Sequence, residues 1–153
     1  MLGSGASSRL FLTVREQYGY AYSVGAHLDY YLRVSAFVAE AQTATENTHD
    51  AIRQIRAEVE RLINDPIPAD ELQATQNYMI GRHMLGRITL GGIADLYKQA
   101  VIYGLPLDYW QRYPAMLASL TAQQAQAAAA QYLQPDRFAV VVVGEPSLGD
   151  SSG

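Results

Sequence analysis

Hydrophobic and polar positions in the first forty residues predict a short helix followed by two strands. After a loop rich in glycine and serine, apolar residues recur at helical spacing over residues 10–15. Large apolar residues then alternate with small or polar ones over residues 20–28, and the alternation resumes over residues 32–38. The break between the two runs falls at Asp29 and Tyr30. This pattern predicts a helix and then two adjacent strands that form a hairpin.

The next segment has the pattern of a long amphipathic helix. Residues 43–46 have the threonine-to-glutamate spacing of a helix-capping box. An apolar stripe follows and stops before Asn64-Asp65-Pro66, where proline disfavours continuation of a helix. The stripe consists of Ile52, Ile55, Val59 and Leu62. We therefore predict one long helix with a single buried face.

Several further helices are predicted in the second half of the chain. One begins at Asp70, and the pair Gly91 and Gly92 interrupts it before the apolar pattern resumes as far as Ile102. Residues 107–120 predict another helix, disturbed at Pro114. A second capping box at residues 121–124 then begins an alanine-rich helix that reaches Leu133.

The last predicted element is a run of mostly β-branched residues. Residues 138–143, followed by Gly144, predict a strand that is buried on both faces. The fold class is therefore α+β, with a mostly antiparallel sheet packed against several helices. Because three strands make a thin sheet for so many helices, we expect a single partial domain over residues 1–146 that is incomplete at its N-terminus. Residues 147–153 are expected to form a flexible tail.

Composition and charge argue against several classes of function for this chain. The chain has 153 residues, 49% hydrophobic and 17% charged, which is typical of a globular domain. Its formal charge is −4 and its basic residues are scattered, which argues against binding to nucleic acid or to an anionic membrane. The absence of a long apolar run predicts a soluble protein. The chain has no cysteine, which excludes thiol chemistry but fits bacterial periplasm and cytoplasm equally well.

No residue pattern in the chain forms a catalytic or metal site by itself. The three histidines, His27, His49 and His83, are far apart in sequence, and none belongs to H-x-x-E-H or H-E-x-x-H. There is no G-x-S-x-G serine elbow, and the glycine- and serine-rich opening lacks the lysine of a phosphate-binding loop. For each histidine a structural or surface role is the better interpretation. We therefore assign no metal ligand in this chain.

Residues 8–24 carry the informative motif. They read SRLFLTVREQYGYAYSV, which closely resembles the "S-R-L-F, then L-R-E-x-x-G-L-A-Y-S-V" signature in the non-catalytic half of the pitrilysin and insulinase-type zinc metallopeptidases. The resemblance extends in order through Pro68-Ala69-Asp70-Glu71-Leu72, the turn at residues 103–109, and residues 120–144. Several separated motifs thus agree over nearly the whole chain. A departure from the usual family pattern occurs at Tyr20, where a smaller aliphatic residue is commoner.

The resemblance implies a function for two side chains. In that family two similar halves close on an extended peptide; one half carries H-x-x-E-H and the zinc, and the other carries an arginine and a tyrosine, which match Arg15 and Tyr22 here. Guanidinium and phenol groups donate hydrogen bonds, so they suit holding a peptide carbonyl and supporting the oxyanion that forms when zinc-bound water attacks it. The resemblance implies substrate binding and transition-state support, with zinc in the partner half. This chain alone is expected to be inactive.

Each of these two residues also has a purely structural interpretation. Arg15 suits the C-terminal end of a helix, where a cation interacts favourably with the helix dipole. Tyr22 suits a half-buried strand position that shares a face with Tyr20 and Val24. Gly19, between the helix and the strand, permits a φ that the turn needs in either interpretation.

Three functions remain open at this point. The first is the substrate-binding, non-catalytic domain of a zinc metalloendopeptidase, whose partners are a zinc-bearing catalytic domain or subunit and an extended peptide. The second is a non-enzymatic structural subunit of the same fold, similar to the core proteins of respiratory complexes. The third is a free-standing peptide-binding module, which the eleven tyrosines favour.

Overall fold

The computed structural model describes residues 1–144, and its mixed helix and strand content confirms the predicted α+β class. The expected flexible tail, residues 147–153, lies outside the described residues. The chain divides into two compact units. The first unit comprises Met1–Asp29, Ala36–Asp65 and the residues from Gln126 onward, and the second comprises Tyr30–Ser35 and Pro66–Ala125.

The predicted first helix is confirmed, but most of it is a π-helix. The helix begins at Arg9, and the π-helical part spans Phe11–Gln17. The wider turn shows in the hydrogen bond from the Tyr18 backbone N–H to the Thr13 carbonyl, 3.1 Å, which spans five residues. Leu10 and Val14 on one face of this helix are completely buried, so apolar packing holds it in the first unit.

The predicted hairpin is also confirmed. It consists of β1 (Ala21–Tyr30) and β2 (Ser35–Thr43), which pair in a two-stranded antiparallel sheet. The predicted break at Asp29 and Tyr30 is wrong, since both residues continue β1. The chain instead reverses over residues 31–34, where the Tyr31 backbone N–H donates to the Val34 carbonyl at 3.0 Å.

The long helix α1 spans Thr48–Asn64 after a short 3-10 turn, Thr45–Asn47. It ends where predicted, because Asp65 before Pro66 is extended. The predicted capping box at residues 43–46 is wrong. The Thr43 hydroxyl donates to the Tyr20 carbonyl at 2.6 Å and ties the end of β2 to the start of β1, so it does not cap the helix. The hydroxyl that the local sequence pattern predicted as a helix cap therefore forms a tertiary hydrogen bond instead.

In the second unit, the predicted helices form with one displaced break. They are α2 (Ala69–Gly86), α3 (Leu90–Ile102) and α4 (Tyr109–Ala118), which contains Pro114 as predicted. The break lies before Leu90 and not at Gly91 and Gly92, because the Thr89 side chain accepts a hydrogen bond from the Gly92 backbone N–H at 3.0 Å and begins α3 there. The two glycines therefore lie in the first turn of α3.

One buried amide connects α2 to the end of α4. Gln76 is buried, and its Nε2 donates to the carbonyls of Leu117 and Leu120, each at 2.9 Å. The Leu117 carbonyl, in the last turn of α4, also accepts from the Leu120 backbone N–H at 3.2 Å, so the Gln76 amide gives it a second hydrogen bond. The same amide pairs the Leu120 carbonyl just beyond the end of the helix. Helices α2 and α4 consequently pack together in the second unit.

Helix α5 spans Ala122–Tyr132, and its predicted capping box is confirmed. The Thr121 backbone N–H donates to Gln124 Oε1 at 2.9 Å, and the Gln124 N–H donates back to Thr121 Oγ1 at 3.2 Å. A 3-10 turn at Pro135–Arg137 follows. No helix within residues 1–144 is both long enough and apolar enough to cross a membrane.

The predicted doubly buried strand at residues 138–143 is wrong for the described structure. These residues belong to no sheet, and Val141 and Val143 are 83% and 93% exposed. A β-branched run forms a strand only where a neighbouring strand supplies backbone partners, and the described part of the chain places none beside it. The observed sheet therefore has two strands and not three.

Candidate functional site

Arg15 and Tyr22, the two residues predicted to bind substrate, lie side by side in the first unit. Arg15 is in the last turn of the π-helix, and Tyr22 is the second residue of β1. The Arg15 guanidinium carbon lies 5.9 Å from the centre of the Tyr22 ring and 4.8 Å from the centre of the Phe11 ring. Both distances are in the range of cation–π interactions. The two rings thus hold the guanidinium group at the surface.

The helix that carries Arg15 is fixed by a buried carboxylate. Glu58 on α1 is only 2% exposed, and its Oε1 accepts hydrogen bonds from the Thr13 hydroxyl at 3.0 Å and from Arg61 Nη1 at 2.9 Å. A buried carboxylate is stable when it is paired in this way. Through Thr13 this contact attaches the π-helix to α1 two residues before Arg15.

The turn between the helix and β1 determines where Tyr22 lies. Gly19 has φ = +66°, a value that glycine adopts without the cost that a side chain would bring, as predicted. The Tyr20 backbone N–H donates to the Val14 carbonyl at 2.9 Å, and the Tyr20 carbonyl accepts from Thr43. The backbone bond to Val14 therefore holds the start of β1 next to the helix, and the bond from the Thr43 hydroxyl holds it next to the end of β2.

Tyr22 is not packed in the manner of a strand aromatic. Its side chain is 81% exposed, whereas Tyr20 and Val24, which share its strand face by alternation, are half-buried. Among residues 1–144 its hydroxyl has no hydrogen-bond partner. The predicted structural alternative, a half-buried strand aromatic, is therefore not what the first unit contains. The alternative for Arg15, a cation in the last turn of a helix, matches its observed position.

The arrangement presents two hydrogen-bond donors to solvent from one surface. Arg15 is exposed, and its only ion pair among the described residues is a surface contact from its Nε to Glu16 Oε1 at 3.6 Å. Such an exposed pair contributes little free energy, so the guanidinium group is available to another acceptor. A guanidinium and a phenol are both suited to donate to a carbonyl oxygen or an oxyanion.

Two supporting residues were missed by the sequence analysis, although each left a signal. Phe11 is four residues before Arg15, the spacing that places two side chains on the same face of a helix. Glu58 lies within the apolar stripe of α1, three residues after Ile55 and four before Leu62. An acidic residue on a buried helical face calls for a polar partner, but the sequence does not show that the partner is Thr13.

The histidines do not form a metal site. His27 Nε2 lies 3.4 Å from Asp29 Oδ1 on β1, and His49 is an exposed residue at the start of α1. In the second unit, His83 Nε2 lies 2.9 Å from the Trp110 carbonyl oxygen. Throughout residues 1–144 no three His, Cys, Asp or Glu side chains converge on a point that could hold a metal ion. The described residues therefore do not fit a zinc ion.

His83 instead belongs to an aromatic cluster in the second unit. Its ring lies 6.0 Å from Trp110 and 5.1 Å from Tyr113, measured between ring centres. Burial, with smaller contributions from the neighbouring hydroxyls of Tyr109 and Tyr30, raises the pKa of the Tyr113 hydroxyl above its usual value. Tyr113 is thus neutral throughout the physiological range.

Comparisons with known proteins place the chain in a family. The family model described as "Peptidase M16 inactive domain" matches residues 1–79. An uncharacterized zinc protease of Streptomyces coelicolor is 28% identical over 129 residues, which cover 84% of this chain and 28% of that protein.

Two solved structures share the fold. A peptidase M16 inactive domain from Pseudomonas fluorescens matches with a TM-score of 0.80 and 23% identity, over 88% of this chain and 32% of that one. A protease from Helicobacter pylori matches with a TM-score of 0.71 and 19% identity, also over 88% and 32% of the two chains. The present chain thus spans about a third or less of the length of these relatives. With the family model matching more than half of its residues, the chain belongs to the peptidase M16 inactive-domain family.

Proposed function

We propose that this chain is the substrate-positioning domain of a zinc-dependent metalloendopeptidase and that Arg15 and Tyr22 are the residues that act on the peptide. Both side chains donate hydrogen bonds to the carbonyl oxygen of the bond to be cleaved. As that oxygen gains negative charge during hydrolysis, both hydrogen bonds become stronger. The two residues therefore stabilise the transition state more than the bound peptide.

The single observation that carries this proposal is the exposed position of Tyr22 beside Arg15. A strand tyrosine that is 81% exposed contributes little to packing, and its unpaired hydroxyl points to a ligand as the partner. Phe11 and the Thr13–Glu58 contact hold Arg15 close to it. Donors that are already held in position need no costly rearrangement when charge develops on the substrate.

The hydrolytic chemistry itself belongs to a partner in this proposal. Because the described residues do not fit a zinc ion, the zinc ligands and the general base come from a separate zinc-bearing half of the same family. The name of the Streptomyces coelicolor relative, a zinc protease, supports this arrangement. The substrate is an extended peptide, whose backbone carbonyls the two donors can reach irrespective of sequence.

The proposal is tested by substituting each donor separately and assaying the chain together with its zinc-bearing half. Arg15→Ala and Tyr22→Phe are each expected to lower kcat about 100-fold, which is typical for loss of one oxyanion donor, with a smaller change in KM. Initial rates of cleavage of a quenched fluorescent peptide, measured over a range of peptide concentrations, give both constants.

Tyr31→Phe is the matched control, since Tyr31 is also exposed and loses the same hydroxyl, but it lies in the turn between β1 and β2. It should keep the wild-type kcat. Wild-type turnover in both Arg15→Ala and Tyr22→Phe would refute the proposal that these two residues act on the peptide.

A further inference from the structure

The second unit contains a small pocket between helices α3 and α4. Its volume is about 180 Å³. One wall is formed by Ile93, Leu96 and Tyr97, whose spacing of three and four residues places them on one face of α3. Because two of these side chains are hydrocarbons and the third is mostly an aromatic ring, this wall suits an apolar group.

The opposite wall comes from the start of α4. Leu107 lies just before this helix, and Trp110 and Gln111 follow at the same spacing of three and four residues. This wall thus contributes a hydrocarbon side chain, an indole ring and a primary amide. All these residues belong to the second unit.

A histidine holds the Trp110 wall in place. Within the helix the Trp110 carbonyl would normally accept from the backbone N–H four residues later, but Pro114 has no N–H. His83 Nε2 lies 2.9 Å from this oxygen and, since a carbonyl only accepts, the histidine is the donor. The rings of Tyr109 and Tyr113 lie 5.0 and 5.5 Å from the indole, measured between ring centres. The indole wall is therefore preformed.

Arg87, at the C-terminal end of α2, supplies the charged group of the pocket. It is half-buried, and among residues 1–144 its guanidinium forms no ion pair, no hydrogen bond and no cation–π contact. The nearby carboxylates have other partners, since Asp95 pairs with Lys98 and Asp108 pairs with Arg112. The guanidinium group therefore has no counterion within the described part of the chain.

The chemistry of the lining indicates which ligand fits. Arg87 is the one charged residue among those that line the pocket. A planar carboxylate matches the fork of a guanidinium group through two parallel hydrogen bonds, and the apolar walls favour a hydrocarbon next to it. The volume equals that of about six water molecules, which admits a ligand of about six to nine non-hydrogen atoms.

We propose that this pocket binds a monocarboxylate with a short, branched hydrocarbon group. The carboxylate pairs with Arg87, and the hydrocarbon lies between α3 and α4. A phosphate group, which carries close to two negative charges, would be only partly neutralised by a single guanidinium. Two sources share the proposed chemistry: a free branched-chain carboxylic acid, and the C-terminal leucine of a peptide.

Tryptophan fluorescence provides the measurement, because Trp110 is the one tryptophan of the chain and lines the pocket. Titration of the full 153-residue chain with isocaproate is expected to change the emission saturably, with a Kd of about 1 mM or tighter. Isocaproamide has the same shape without the charge and should bind at least about tenfold more weakly. A tripeptide that ends in leucine, compared with its C-terminal amide, tests the peptide source in the same way.

Arg87→Met and Arg82→Met are a matched pair of variants. Each replaces a guanidinium side chain near the end of α2 with an unbranched, uncharged one, but Arg82 lies over the Tyr78 ring and does not line the pocket. Arg87→Met should weaken isocaproate binding at least about tenfold and change isocaproamide binding by no more than about twofold. Arg82→Met should change neither. Circular dichroism shows whether each variant is folded.

The proposal is overturned if neither isocaproate nor the leucine-ending tripeptide gives a saturable change, or if acid and amide bind the wild-type chain equally well. The second comparison needs no substitution, so it decides the question even where Arg87→Met does not fold. Wild-type affinity for isocaproate in a folded Arg87→Met variant would also overturn it. Arg15 and Tyr22 belong to the first unit and take no part in these titrations, so this proposal and the proposed function fail separately.

Discussion

At the scale of single residues, Glu58 is the side chain on which the candidate site depends most. It is buried, it accepts from the Thr13 hydroxyl and from Arg61, and through Thr13 it joins α1 to the helix that carries Arg15. Removing such an acceptor leaves two partly buried donors without a partner, which lowers the free energy of unfolding. Stability and the position of Arg15 are therefore linked through one carboxylate.

Glu58→Ala is expected to lower the free energy of unfolding by about 1–3 kcal/mol, because it removes two hydrogen bonds to a buried charged group. Denaturant unfolding followed by circular dichroism measures the change. The control is Glu60→Ala, which removes an exposed carboxylate from the same helix and should change stability by no more than about 0.5 kcal/mol. Equal effects of the two substitutions would show that the buried contact does not stabilise the first unit.

At the scale of elements, the start of α3 shows how two adjacent glycines differ. A side chain at Gly92 would overlap the backbone carbonyl of Gly86 at the end of α2, whereas a side chain at Gly91 would meet nothing within 4 Å. Gly92 is therefore required by the close approach of two backbones. Gly91 has no such role and only lowers helix propensity.

Gly92→Ala is accordingly expected to destabilise the protein by about 1–3 kcal/mol, as overpacking against a backbone atom does. Gly91→Ala should leave stability unchanged or raise it by up to about 1 kcal/mol, since alanine favours the helix. The midpoints of thermal unfolding of the two variants give the comparison. If Gly92→Ala were as stable as Gly91→Ala, the close approach of α2 and α3 would be wrong.

The helices and strands also show which features of the fold could be predicted from the sequence. The long helix α1 and the capping box at Thr121 and Gln124 were predicted correctly, because periodicity and a local cap need no distant partner. The capping box at Thr43 was wrong because its hydroxyl bonds to Tyr20, which is distant in sequence. The strand predicted over residues 138–143 was wrong because β-branched residues need a neighbour that sequence periodicity cannot supply.

In the candidate site, too, the local features were predicted from the sequence and the contacts between distant residues were not. Arg15 and Tyr22 were identified by resemblance to a family motif, and Gly19 by its place between a helix and a strand. Their closeness, 5.9 Å from guanidinium carbon to ring centre, depends on the π-helix and on the turn at Gly19. The Thr13–Glu58 contact joins residues 45 positions apart, so no local pattern could have indicated it.

At the scale of the whole molecule, we propose that hydrolytic chemistry and substrate positioning belong to different polypeptide segments. The chain belongs to the peptidase M16 inactive-domain family, and its described residues bring no metal-binding group together. The proposed function gives it two hydrogen-bond donors that position a peptide, which a zinc-bearing half cleaves.

The role of Arg15 and Tyr22 in peptide hydrolysis is best tested by the peptidase activity of the zinc-bearing half in three states: alone, with the wild-type chain, and with the Arg15→Ala, Tyr22→Phe double variant. We expect little cleavage alone, full cleavage with the wild-type chain, and a kcat lower by about 100-fold or more with the double variant. Complex formation, measured by sedimentation, should be equal for both versions of the chain. Full activity with the double variant in an intact complex would show that the two side chains do not act on the peptide.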